Sequence, residues 1–260
     1  MVSTIAPLIV IVGPTASGKT ALAIEMAQKF DGEIICADSR TVYKSMDIGT
    51  AKPTNVEREL VPHHLLDVVE PDEPFTVADF KKLANESIDD ICGRGKLPIM
   101  VGGSGLYIDA VLFDYGFASK GAKHDPTNPR HLDKSEPQIR HGMRDNTLLV
   151  GLNPDLEVIK QRITDRVDEM LSQGFEDEVG YLYSKYGDGT KALQAPGYRA
   201  FRDYVENKIS LDEAKAQFIR NDYLLARRQR TWFKRNKSIH WLDNREEYVD
   251  ILTTFLNKKQ

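Results

Sequence analysis

One octapeptide, Gly13-Pro-Thr-Ala-Ser-Gly-Lys-Thr20, limits what this chain can fold into more than any other feature. It fits G-x-x-x-x-G-K-[ST], a pattern whose glycines let the backbone wrap around phosphate oxygens. Leu8-Ile-Val-Ile-Val12 precedes it, a β-branched run typical of a buried parallel strand, and a good helix former, Thr20–Phe30, follows. In that setting successive N–H groups and a helix N-terminus point at negative charge. Lys19 would neutralise the outer phosphates, and the Thr20 hydroxyl would hold Mg²⁺. The candidate phosphate-binding residues are therefore Gly13, Pro14, Thr15, Ala16, Ser17, Gly18, Lys19 and Thr20. The pattern implies a di- or triphosphate, ATP included, without saying which.

The rest of the chain repeats this alternation. Glu33–Ala37 reads as a strand that stops at Asp38-Ser39, and Phe75–Cys92 as a helix capped by Thr76. Leu97–Val101 is a further strand, broken by Gly102-Gly103. Strands alternating with helices imply an α/β fold, P-loop NTPase-like, with a mainly parallel sheet flanked by helices. In such sheets ligands lie beyond the strands' C-terminal ends, which is where Asp38 falls. Gly102-Gly-Ser-Gly105 forms a second anion-friendly turn, weak when taken alone. Tyr115–Asn146 has almost no apolar period, as in a lid or binding loop. Pattern returns at Leu148–Leu152 and in a helix over Asp155–Ser172, and Ser210-Leu-Asp-Glu213 opens a long helix with a capping box. We expect a core over residues 1–114, a reduced insertion over 115–147, and the remainder of the core with a helical C-terminal part over 148–260.

Charge is distributed more tellingly than its total. The chain nets −4, yet residues 31–91 hold 14 acids against six bases, and residues 220–240 hold seven bases and a lone acid, Asp222. On the long helix Leu211, Phe218, Leu225 and Trp232 recur every seven residues and so share a face. Arg220, Arg227 and Lys234 recur likewise on the opposite face, flanked by Arg228, Arg230 and Arg235. So many cations with so little acid favour contact with nucleic acid over a merely solvated face. Arg162 and Arg166, four apart, also share a face. Spacing alone pairs them with Asp165 and Glu169 on the helix surface.

Some classes are excluded. The longest apolar runs fall far short of the roughly 20 residues of a membrane span. Met1–Thr4 gives no basic lead into an export signal. Cys36 and Cys92 stand alone, without metal-ligand spacing, which suits buried thiols in a reducing cytoplasm.

Several blocks, in order, resemble the tRNA dimethylallyltransferases, also called tRNA isopentenyltransferases. They are the phosphate loop, Ala37-Asp-Ser-Arg40 with Val42-Tyr-Lys44, and Met46–Pro53. Pro62–Asp67, Val101-Gly-Gly-Ser-Gly-Leu-Tyr107, Arg162–Val179, Pro196-Gly-Tyr-Arg199 and Arg227-Arg-Gln-Arg-Thr-Trp-Phe-Lys234 complete the set. A generic nucleotide kinase would share the first block alone. The resemblance implies transfer of a dimethylallyl group from dimethylallyl diphosphate to N6 of the adenosine 3′ of the anticodon. By position it makes Asp38 the general base, Thr20 the Mg²⁺ ligand and Arg166 the diphosphate-binding arginine. It places Asp38, Ser39, Arg40, Thr41, Ser104, Arg130, Gly197, Tyr198, Arg199, Arg227, Arg228, Gln229, Trp232 and Lys234 against the tRNA anticodon stem-loop. It also implies a cytoplasmic enzyme, which we expect to be monomeric, with Mg²⁺ as cofactor and no membrane partner.

The sequence departs from that pattern in its short insertion, in Pro196 and Arg230, and in lacking a C-terminal zinc-finger spacing, which suits the compact bacterial form. The alternatives are prenylation of a free adenine nucleotide, which would not need the basic helix, and a P-loop small-molecule kinase.

Overall fold

The computed structural model describes residues 5–117, 142–242 and 245–257. The expected phosphate-loop strand forms as β1, Leu8–Val12, with all five residues buried. β2 is Gly32–Cys36, β3 His63–His64, β4 Leu97–Gly102, β5 Thr147–Gly151 and β6 His240–Trp241. They make one sheet in the order β3-β2-β4-β1-β5-β6, and every pairing is parallel. β1 lies between β4, where Ile9 pairs with Ile99, and β5, where Ile9 pairs with Leu148.

Alternation along the strands sends side chains to two apolar layers. Leu8, Val10, Val12, Met100 and Leu149 face α3 (Val77–Gly93) and α4 (Gly105–Leu112). Ile9, Ile11, Ile34, Ile99 and Val150 face α1 (Lys19–Lys29) and α9 (Arg245–Asn257). Strands covered on both faces read as continuous apolar runs, as these do. The short α2 (Asn55–Leu60) lies before β3. Thr76 caps α3 with a full capping box, as its sequence indicated.

A third apolar cluster belongs to the helical part. There α5 (Leu156–Ser172), α6 (Phe175–Tyr186), α7 (Pro196–Val205) and α8 (Leu211–Phe233) pack around Phe175, Tyr198, Phe201 and Phe218. The rings of Phe175 and Phe201 lie 5.0 Å apart, and those of Phe175 and Phe218 5.6 Å. Ser210 caps α8 through the expected capping box with Glu213.

The buried row of α8 differs from its seven-residue pattern. Ala214, Phe218, Asp222 and Ala226, spaced by four, are buried together with Phe233, while Leu211, Leu225 and Trp232 are half-buried flanks. A straight α-helix packed on its neighbours follows four-residue ridges more closely than sevens. The cationic stripe of Arg220, Arg227 and Lys234 is exposed, as expected. Among the described residues no helix is long and apolar enough to cross a membrane.

Candidate active site

The phosphate loop joins β1 to α1. Ala16 takes φ 59° and Gly18 φ 91°, left-handed conformations that turn the chain sharply into the helix. At Gly18 no side chain resists this geometry. Ser17 N donates to Pro14 O (3.2 Å), and Lys19 Nζ reaches back to the same carbonyl (3.2 Å). Burial lowers the Lys19 pKa to about 8, Asp38 opposes the shift and Arg166 adds to it. Lys19, Asp38 and Arg166 therefore share one electrostatic field.

Asp38 follows β2. Its Oδ1 accepts from Arg40 N at 2.8 Å, an Asx turn that orients the carboxylate. The glycine turn after β4 is locked onto this segment. Ser104 N donates to Ala37 O (3.2 Å), and Ser104 Oγ accepts from Ser39 N (3.0 Å). A Cβ on Gly102 would collide with the Ala37 carbonyl, so only glycine permits this approach. The C-terminal ends of β1, β2 and β4 thus meet at a single crevice, as the parallel order requires.

Arg166 does not make the surface ion pair that its spacing suggests. It leaves its own helix to donate from Nη1 to Thr15 Oγ1 (3.0 Å) and from Nη2 to Asp222 Oδ2 (2.6 Å). Arg162 likewise turns to the loop, where Nη1 donates to the Ala16 and Ser17 carbonyls at 3.3 Å each. Their expected partners bond elsewhere: Asp165 accepts from Gln161 and Glu169 from Gln173. Gln229 Oε1 accepts from Thr15 N at 2.8 Å, so α8 touches the phosphate loop directly. A cleft of about 590 Å³ opens beside the loop, with Ser17, Gly18, Arg162, Arg166, Leu152 and Trp241 in its wall.

The remaining candidate residues divide by exposure. Arg199, Arg227, Arg228 and Lys234 are exposed. Ser39, Arg40 and Ser104 are half-buried at the crevice, and Arg40 Nη1 donates to Ala192 O (3.2 Å). Trp232 lies over Gly105 and donates from Nε1 to Asp109 Oδ2 at 2.9 Å. Thr41 is buried, and its hydroxyl has no partner among the described residues.

Gly197 and Tyr198, expected against RNA, are core residues instead. Tyr198 is 0% exposed and donates its hydroxyl to Glu178 Oε1 at 2.6 Å. Gly197 sits against the Phe218 ring, where a Cβ would approach to 2.5 Å. Glu178 also accepts from the amides of Asp47, Ile48 and Gly49 (2.9, 2.8 and 3.0 Å), anchoring the segment after Asp38. Arg130 and most of the expected insertion over 115–147 lie outside the described residues.

Sequence reasoning missed Asp222 as a site residue and Gln229 as a partner of the phosphate loop. A signal was present: Asp222 is the lone acid in a cationic run and stands seven residues before Gln229, on the same helix face.

Comparison with known proteins identifies the family. Residues 41–139 and 121–236 match the IPP transferase family, and residues 6–67 match the isopentenyl transferase family. The chain is 40% identical to the tRNA dimethylallyltransferase of Geobacillus thermodenitrificans, with 91% of this chain and 90% of that one covered. It is similar in structure to the tRNA delta(2)-isopentenylpyrophosphate transferase of Staphylococcus epidermidis (TM-score 0.81, 35% identity, 98% and 100% of the two chains). The full-length tRNA isopentenylpyrophosphate transferase of Bacillus halodurans is also similar (TM-score 0.84, 34% identity, 97% of each chain). With its phosphate loop, its Asp38 crevice and these matches along nearly its whole length, the chain belongs to the IPP transferase family.

Proposed function

We propose that this chain transfers a dimethylallyl group from dimethylallyl diphosphate to N6 of the adenosine 3′-adjacent to the anticodon in certain tRNAs. The observation that carries this is the phosphate loop itself, which Arg166 meets at Thr15 Oγ1 and on which the cation-striped helix rests through Gln229. Relatives named tRNA dimethylallyltransferase support it.

An exocyclic amine is a poor nucleophile, so departure of the diphosphate supplies much of the drive. As the allylic C–O bond breaks, Lys19, Arg166 and the loop amides absorb the growing negative charge. Asp38 accepts the proton that the amine loses as the C–N bond forms. The donor set also suits Mg²⁺, which takes one or two protein oxygens and completes its shell with phosphate and water. The half-buried Thr20 hydroxyl, in the first turn of α1, is the oxygen on offer. Bound there, Mg²⁺ would neutralise charge on the diphosphate.

The adenine is stacked in the anticodon loop and has to be drawn out to react. Ser39, Arg40 and Ser104 line its entrance in this proposal, with the buried Thr41 behind them. Arg199, Arg227, Arg228 and Lys234 meet RNA phosphates, with Gln229 and Trp232 behind them. The enzyme acts as a cytoplasmic monomer.

The test is incubation with tRNA, dimethylallyl diphosphate and Mg²⁺, followed by mass analysis of the nucleosides. A gain of one prenyl group on adenosine, absent without donor, is expected. Unmodified tRNA, or steady ATP turnover in its place, would reject the proposal.

A further inference from the structure

Asp222 brings a negative charge to a site whose chemistry calls for positive ones. It lies in the buried row of α8, between Phe218 and Ala226, with its side chain 13% exposed. An apolar residue in such a row would pack at no electrostatic cost, and replacing buried ion pairs with apolar groups is often neutral or stabilising. Helix packing alone therefore does not account for an acid here.

The acid does fix the direction of one guanidinium. The group is planar with donors in a rigid fork, so two bonds to different anchors set its plane. Arg166 has two such anchors, Asp222 Oδ2 at 2.6 Å on α8 and Thr15 Oγ1 at 3.0 Å on the phosphate loop. Gln229 holds the Thr15 amide at 2.8 Å from the same helix, so the loop end of the fork is itself tied down. Glu169 lies three residues along α5, within reach of Arg166 on an exposed helix face. Without Asp222 the guanidinium would lose one of the two bonds that set its plane.

We propose that Asp222 is the positioning residue for Arg166 in prenyl transfer, holding the guanidinium against the phosphate loop where the leaving diphosphate develops its charge. This rests on the proposed role of Arg166 at the donor.

Steady-state kinetics on Asp222→Ala, Asp222→Asn, Arg166→Ala and the Asp222→Ala/Arg166→Ala double variant test it, with unfolding midpoints as a check on folding. Asp222→Ala should lower kcat/KM for the donor on the order of 10²-fold, the usual cost of a misplaced catalytic group, with tRNA affinity unchanged. Asp222→Asn keeps an acceptor oxygen and should recover to within about fivefold of wild type. With Arg166 already removed, Asp222→Ala should cost less than about twofold, since the two act as one unit. A folded Asp222→Ala with normal donor kinetics, beside an impaired Arg166→Ala, would overturn the inference alone. So would equal losses in both backgrounds. Normal donor kinetics in Arg166→Ala would remove the donor role of Arg166, and the inference with it.

Discussion

If Lys19 captures the donor as proposed, its ammonium sets a pH limit on that step. Burial takes its pKa from 10.5 to about 8, with Asp38 opposing and Arg166 reinforcing the shift. In the proposed reaction the protonated form holds the diphosphate, so the competent enzyme is present below pH 8 and lost as pH rises through it. About half of the free enzyme is competent at pH 8 and about one-tenth at pH 9. Because kcat/KM reports groups on the free enzyme, kcat/KM for dimethylallyl diphosphate should fall about tenfold per unit above pH 8. Replacing Asp38 by Asn removes the charge that raises the Lys19 pKa, so the falling limb should move to lower pH. Lys19→Arg carries a charge that persists throughout this range, and its limb should vanish even if its activity is reduced. The assay is initial-rate prenyl transfer at low donor and saturating tRNA between pH 6.5 and about 10. An unchanged limb in Lys19→Arg, or a limb displaced upward in Asp38→Asn, would refute the reasoning.

Other variants separate the remaining roles. Asp38→Asn should lower kcat by roughly 10²–10⁴-fold near neutral pH with tRNA binding intact, and full turnover would end its assignment as base. Arg227→Gln should reduce the slope of log tRNA affinity against log salt by about 0.7–0.9 without changing donor affinity. An unchanged slope would return that exposed stripe to plain solvation. Gly105→Ala drives a Cβ into the Trp232 indole. It should cost about 1–3 kcal/mol in denaturant unfolding, and an unshifted midpoint would contradict the close packing of α4 on α8.

The sequence made the central strands legible because each is a short apolar run bounded by glycine or a polar turn. The Thr76 and Ser210 caps were legible because a capping box is a local pattern. β3 and β6, two residues each, are too short to have a period at all. The buried face of α8 was misjudged because sevens and fours nearly coincide over two turns, and only packing decides between them. The pairing of Arg166 failed similarly, since local spacing offers Glu169 while the partner taken lies 56 residues away. Tyr198 shows the converse: its block matched RNA-contacting segments, yet its own side chain supports the core under the exposed Arg199.

The position of β1 at the middle of an all-parallel sheet also governs how the chain can be made. This strand leaves the ribosome early, but β4, on one side, ends at residue 102 and β5, on the other, at residue 151. At roughly 5–20 residues per second, Leu-Ile-Val-Ile-Val waits on the order of 7–30 seconds for its second neighbour to be synthesised. Throughout that interval an apolar, β-prone segment has an unsatisfied edge, the state in which nascent chains associate with one another. In the completed sheet β1 is paired on both sides, and the outer strands among the described residues are only two residues long. A larger holdase pool should therefore raise the soluble yield of this chain more than changes to its finished surface, and slower translation, which lengthens the wait, should lower it.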